Sequence, residues 1–128
     1  MKAAVASWRF HGAALLLVVV FLAGDLLITD TSKLQRWWSD LSWTLASGVA
    51  ALLCFRAAFR LTDGQRRAWF FYGFGCLSWF VGMLIWDFHE LVQGRVTPFP
   101  GVADTAFLAF GPLFMAGLIY HATASPSV

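Results

Sequence analysis

This chain of 128 residues is 59% hydrophobic and only 12% charged, whereas an ordinary soluble domain has about 25% charged residues. Its net charge of +2 is small, and the basic residues lie near the ends of apolar runs, which argues against a nucleic-acid partner. The length allows one domain, so we interpret residues 1–128 as a single transmembrane domain.

Four apolar runs follow one another along the chain, at about residues 8–28, 41–59, 68–86 and 102–120. Each run has about twenty residues, which as a helix matches the hydrocarbon thickness of a bilayer. The sequence therefore predicts an all-α integral membrane protein, folded as a four-helix transmembrane bundle whose main partner is the lipid bilayer.

The distribution of basic residues predicts the orientation of these spans. The side that holds the two termini and the second gap carries six of them: Lys2, Arg9, Arg56, Arg60, Arg66 and Arg67. The other side carries three: Lys33, Arg36 and Arg95. Because cytoplasmic loops have an excess of lysine and arginine, we expect both termini to be cytoplasmic.

Asp25 is the first ionisable residue that needs an explanation, since it lies near the outer end of span 1. Charge within lipid is costly and usually has a function. We favour a carboxylate at the level of the lipid headgroups. The alternative is a polar contact with Lys33, Arg36 or a ligand.

A second group of polar residues lies where span 3 ends and span 4 begins. Asp87, His89 and Glu90 follow span 3, and Asp104 falls in the first turn of span 4. The sequence predicts that these four residues line a shallow outer ligand pocket together with nearby indoles. A solvated loop is the alternative.

Two further histidines allow a cofactor hypothesis. His11 begins span 1 and His121 ends span 4, so with both termini inside they share one membrane level. Two imidazoles from facing helices are able to ligate a haem iron. Interfacial histidines are commoner than ligands, so we favour no metal site, and the cofactor is unknown.

Span 4 contains Gly111-Pro112 at its middle, a pair that is typical of a kink or hinge. The sequence has no phosphate-binding loop, no HExxH, no CxxC and no GxSxG motif. We therefore expect the chain not to be an enzyme by itself.

The segment from span 3 to span 4 carries a recognisable set of residues. It reads Trp79, Gly82 and Trp86, then His89-Glu90-Leu91 and Gly94, then Pro98-Phe99-Pro100-Gly101-Val102-Ala103-Asp104, then Phe107-Leu108 and Gly111-Pro112-Leu113. This segment resembles the membrane-embedded N-terminal sensor regions of bacterial diguanylate cyclases and of related phosphodiesterases and histidine kinases. In those regions a P-x-P-S-x-A-D-x-x-Y-L-x-x-Y-P-L stretch opens a span. Here Gly101 replaces the serine, Phe107 the tyrosine, and Gly111 the aromatic residue before proline.

The resemblance implies a sensory, signal-coupling module in the bacterial inner membrane. The chain contains no GGDEF, EAL or kinase sequence, so it would be the sensor part of a longer protein or a stand-alone relative. The alternative is a structural or accessory subunit of a larger membrane complex, one that binds haem, quinone or pigment. In either case we expect other membrane helices as partners, in a homodimer or a hetero-complex.

Overall fold

The structure is a computed structural model that describes the backbone of residues 2–28 and 33–124 and the side chains of residues 11–28, 33–62 and 64–124. The described residues form four α-helices, α1 (Lys2–Leu27), α2 (Lys33–Ala58), α3 (Asp63–Asp87) and α4 (Val102–Ala124), and one π-helical turn (Phe88–Val92) that continues α3. This part of the chain contains no β-strand, which confirms the all-α prediction.

Each predicted apolar run matches one of these helices, although the first two runs extend one residue past the helix end, and α2 begins earlier than predicted. It starts at Lys33 rather than near Leu41, so that Trp37 and Asp40 are helical instead of belonging to the polar gap. The segment 33–40 contains leucine, glutamine and arginine, which favour helix, and neither glycine nor proline. Its polar residues mark the limit of the apolar run, and the helix continues past that limit.

Three of the helical segments in the described residues are long and apolar enough to cross a membrane: Lys33–Ala58, Gly64–Val92 and Val102–Ala124. At 1.5 Å per residue they extend over roughly 35–44 Å, beyond the ~30 Å of bilayer hydrocarbon. The apolar stretch described in α1, His11–Leu27, is shorter. These lengths and compositions are those of a multi-pass membrane protein.

Small side chains are buried and large apolar ones are exposed in this structure, whereas a water-soluble protein buries its large apolar side chains. The buried hydrophobic residues are small, Ala51, Ala58, Ala68 and Ala103, with Met83 as the one larger member among the described side chains. Large apolar residues are exposed instead, along all four helices. Small residues at helix contacts and large ones outside are expected where lipid, rather than water, surrounds the helices.

The chain forms two compact units, residues 1–42 and 43–128. In the first unit the indole of Trp38 lies so close to Gly24 that a side chain at position 24 would overlap the ring. A glycine there lets α1 and the start of α2 approach each other. The interpretation of residues 1–128 as one domain stays a prediction.

In the second unit, α3 packs in antiparallel fashion against the rest of α2. The ring of Phe80 lies over Gly48, and the ring of Phe55 lies over Gly73. Phe55 also makes an edge-to-face contact with Phe74, at 5.3 Å between ring centroids. Each aromatic ring thus fills the space that a glycine leaves on the facing helix.

Aromatic rings packed over glycines also join α3 to α4, which are antiparallel as well. The ring of Phe107 lies over Gly82, and the ring of Tyr72 lies over Gly117. Trp79 packs against Phe107 with ring centroids 5.0 Å apart. Helix α4 continues unbroken through Pro112, which is exposed, so the predicted hinge at Gly111-Pro112 stays a prediction.

Candidate ligand site at the connection between α3 and α4

The end of α3 is widened by the π-helical turn. The amide of Gln93 donates to the carbonyl of Phe88 at 3.0 Å, and the amide of Arg95 donates to the carbonyl of His89 at 3.0 Å. Gly94 follows with a φ of 63°, a left-handed conformation that glycine adopts without strain. Wide turns of this kind are frequent at functional sites, because they reorient side chains at a helix end.

Asp87, the last residue of α3 before this turn, is held by α2. The Oγ1 atom of Thr44 donates to Asp87 Oδ2 at 2.6 Å. Both side chains are buried, with 6% and 9% of their surfaces exposed. The second carboxylate oxygen, Oδ1, has no hydrogen-bond partner among the described residues. A buried polar group without full hydrogen bonding is costly in lipid, so its retention suggests a function.

His89 and Glu90 belong to the π-helical turn, and both are half-buried. The Nδ1 atom of His89 lies 3.1 Å from Gln93 Oε1, one turn further on. In the tautomer in which Nδ1 donates this hydrogen bond, Nε2 is left as an acceptor. The contact therefore fixes the imidazole and leaves its other nitrogen open to a second partner.

Asp104 has a local structural contact at the start of α4. Its Oδ2 atom accepts a hydrogen bond from the amide of Gly101 at 2.7 Å. This is the reciprocal half of a capping box, and it places a carboxylate in the first turn, where the helix dipole favours it. A side chain at position 101 would lie 2.5 Å from the carbonyl oxygen of Pro98, so glycine fits this tight approach.

A cavity of about 400 Å³ lies at this connection; we name it the loop cavity. It is lined by Ile85, His89, Thr97, Pro98, Gly101, Val102 and Ala103. Most of the lining is apolar, and its two polar side chains are those of His89 and Thr97. Thr97 is only 7% exposed, and its Oγ1 atom has no hydrogen-bond partner among the described residues. The loop cavity thus combines an apolar wall with one buried, unsatisfied hydroxyl group.

The four residues predicted to form an outer pocket lie on one connection but have different surroundings. His89 lines the loop cavity, Asp87 is bonded to Thr44, and Asp104 is bonded to Gly101. The carboxylates and indoles that were expected in the pocket are not among the residues that line this cavity. Roles for Asp87, Glu90 and Asp104 in ligand binding stay predictions.

The other predicted residues lie elsewhere. Asp25 and His11 belong to the first unit, and both are exposed. His121 belongs to the second unit, where its ring lies 6.3 Å from that of Tyr72. No three His, Cys, Asp or Glu side chains come together as metal ligands in the part of the chain whose side chains are described. The haem hypothesis for His11 and His121 stays a prediction.

Two residues that sequence reasoning missed are central to the site. Thr44 is one of three hydroxyl residues, with Ser42 and Ser47, near the start of an apolar run, and only the register of α2 against α3 reveals that it meets Asp87. Thr97 is one polar residue in a loop, and nothing in the sequence distinguishes a buried threonine there from an exposed one. The predicted antiparallel hairpin of α2 and α3 was the one sequence feature that could have pointed to Thr44. No sequence feature pointed to Thr97.

Comparison with protein families, with curated proteins and with solved structures gave no match to this chain. The resemblance of residues 79–113 to bacterial sensor regions therefore stays a prediction based on the sequence pattern. The geometry of the connection between α3 and α4 is independent of that resemblance.

Proposed function

We propose that this protein is a sensory, signal-coupling module of the bacterial inner membrane. In this proposal four helices span the membrane, both termini are cytoplasmic, and the connection between α3 and α4 faces outward. The excess of basic residues on the side of the termini supports this orientation. The resemblance of the same connection to bacterial sensor regions supports the functional class.

The observation that carries the proposal is the loop cavity. Its lining comes from the end of α3 (Ile85), from the π-helical turn (His89), from the loop (Thr97, Pro98) and from the start of α4 (Val102, Ala103). A molecule bound there would contact both helices at once. It would therefore favour one packing of α3 against α4 over another, which is the requirement for a ligand to shift a conformational equilibrium.

Helix α4 is the element that would transmit such a shift. It begins at the cavity and ends on the proposed cytoplasmic side, at Ala124. Pro112 has no amide hydrogen, so the helix lacks one backbone hydrogen bond at this position. We propose that α4 moves about Gly111-Pro112, between two packings that differ by a few kcal/mol.

A reporter fusion tests this mechanism. A diguanylate cyclase catalytic domain is joined after Val128, and cyclic diguanylate is measured in cells at matched membrane levels of protein. Pro112→Ala should change the output at least about fivefold, because couplings between sites amount to about 1–3 kcal/mol, or 5–150-fold. Met115→Leu, at an exposed position of the same helix, is the matched control and should leave the output unchanged.

Two results would contradict the sensory proposal. One is an output that Pro112→Ala leaves within about twofold of the unsubstituted fusion, since a coupling of 1–3 kcal/mol requires more. The other is recovery of the protein from native membranes with a different membrane chain at fixed stoichiometry. That second result would establish the alternative, an accessory subunit of a larger complex.

A further inference from the structure

The loop cavity has a composition that restricts what it can hold. We infer that it binds a compact, uncharged, largely apolar molecule that carries one hydrogen-bonding oxygen, of the class of medium-chain alcohols. This inference rests on the proposed function, because it names the ligand class of the same site.

The size suits a small ligand. A volume of about 400 Å³ falls in the lower part of the range of roughly 300–1,000 Å³ in which small-molecule sites lie. Such sites are mostly apolar, with a few polar groups that fix the orientation of the ligand. The loop cavity has this character, since Ile85, Val102 and Ala103 provide apolar walls and His89 and Thr97 the polar groups.

The hydroxyl of Thr97 favours a ligand that carries an oxygen or nitrogen. It is a buried group without a hydrogen-bond partner among the described residues, in a cavity whose other walls are mainly apolar. A hydroxyl is both donor and acceptor, so a single ligand oxygen satisfies it. A pure hydrocarbon would fill the same space and leave the hydroxyl unsatisfied, so the cavity should discriminate between the two.

The surroundings disfavour a charged ligand of either sign. The seven lining residues include no lysine or arginine, so an anion would enter a mainly apolar cavity without a basic side chain of that kind as its partner. A cation needs a carboxylate as a direct partner, and none of the seven lining residues is acidic. An uncharged molecule needs no charged partner in the cavity.

The cavity is also accessible from an apolar phase. Val102 lines it and is 74% exposed, and the neighbouring Phe99 is 86% exposed. Exposed apolar side chains of this kind are more favourably placed in lipid than in water. A ligand dissolved in the membrane would therefore reach the cavity from the bilayer.

Photolabelling of the purified protein in lipid nanodiscs tests the inference. The probe is an octanol that carries a diazirine, and labelled residues are identified by peptide mass spectrometry. We expect saturable labelling within residues 85–103. Excess 1-octanol should compete, whereas octane and octanoate at the same membrane concentration should not. This comparison needs no substitution, so it decides the question even if a variant fails to fold.

A matched pair of variants tests the role of Thr97. Thr97→Val keeps the shape and removes the hydroxyl, and it should weaken competition by 1-octanol about fivefold, the factor expected for one buried neutral hydrogen bond. Thr97→Ser keeps the hydroxyl and should restore most of the affinity. Thr105→Val, at an exposed threonine on α4, should bind like the unsubstituted protein.

The inference is overturned if labelling does not saturate, if octane competes as well as 1-octanol, or if Thr97→Val leaves competition unchanged. Its failure is distinguishable from that of the proposed function, because binding is measured on the chain without an output domain. Absence of binding, with a reporter fusion that responds to Pro112→Ala, would reject the ligand class alone. Binding with a reporter that ignores Pro112→Ala would reject the sensory mechanism alone.

Discussion

Thr44→Val is expected to lower the free energy of unfolding by about 1–3 kcal/mol, the range found when a buried group loses its hydrogen-bond partner. Valine keeps the shape of threonine but has no donor for Asp87 Oδ2. The other carboxylate oxygen already has no partner among the described residues, so the buried carboxylate would lose its contact with α2. Unfolding in mixed micelles with increasing dodecyl sulfate, followed by tryptophan fluorescence, measures this change.

Replacing Asp87 as well tests whether the loss of stability comes from the broken hydrogen bond. In Thr44→Val/Asp87→Leu both polar groups are replaced by apolar ones, and this double variant should be at least as stable as Thr44→Val. Thr105→Val serves as the control at an exposed threonine, with an expected change within about 0.5 kcal/mol. The single variant Asp87→Leu completes the comparison, and strict additivity of Thr44→Val and Asp87→Leu would show that the hydrogen bond does not join α2 and α3 as described.

Gly82→Leu is the second substitution with a large expected effect, a loss of about 3 kcal/mol, at the upper end of the usual range for overpacking. A side-chain carbon at position 82 would lie 2.6 Å from the ring of Phe107. That ring cannot move aside freely, because it packs against Trp79 at 5.0 Å between ring centroids. Helices α3 and α4 would have to separate, which should show as a lower midpoint in the same dodecyl sulfate titration.

The matched control is another helical glycine with free space around it. A side-chain carbon at Gly111 would meet no atom within 4 Å, so Gly111→Ala should keep or raise stability by up to about 1 kcal/mol through its higher helix propensity. Equal midpoints for Gly82→Leu and Gly111→Ala would contradict the close packing of α3 on α4. Labelling of the free thiols Cys54 and Cys76 during unfolding gives an independent readout of the second unit.

The helices were largely predictable from the sequence because their apolar runs are long and uninterrupted. The start of α2 was not, since its first turns contain Lys33, Arg36 and Asp40, and polar residues of that kind occur equally in loops and in helix ends beyond the lipid. The π-helical turn was not predictable either. Its hydrogen bonds have no compositional signature, and residues 88–92 would fit an ordinary helical turn equally well.

Only the position of the candidate site along the chain was predictable from the sequence. The sequence located it between Asp87 and Asp104, because polar residues and prolines collect there. It did not predict that Asp87 pairs with Thr44, which depends on the register of two helices. It also could not predict that Thr97, rather than a carboxylate, provides the unsatisfied polar group of the cavity, because burial of a loop residue depends on the path of the whole loop.

The contacts around this connection link the helices of the second unit. Asp87 joins α3 to α2 through Thr44, and the loop cavity joins the end of α3 to the start of α4. A change at the cavity would therefore affect the packing of α3 against both neighbours. This arrangement is the physical basis of the proposal that a ligand at the connection shifts α4.

The central claim is that lipid surrounds these helices and that α3 crosses it. Single cysteines in a Cys54→Ala/Cys76→Ala background test this directly, at Gln65→Cys before α3 crosses and at Val96→Cys after it. We predict that a membrane-impermeant maleimide labels Val96→Cys in intact spheroplasts and labels Gln65→Cys only after lysis. Labelling of both positions from the same side would contradict the account.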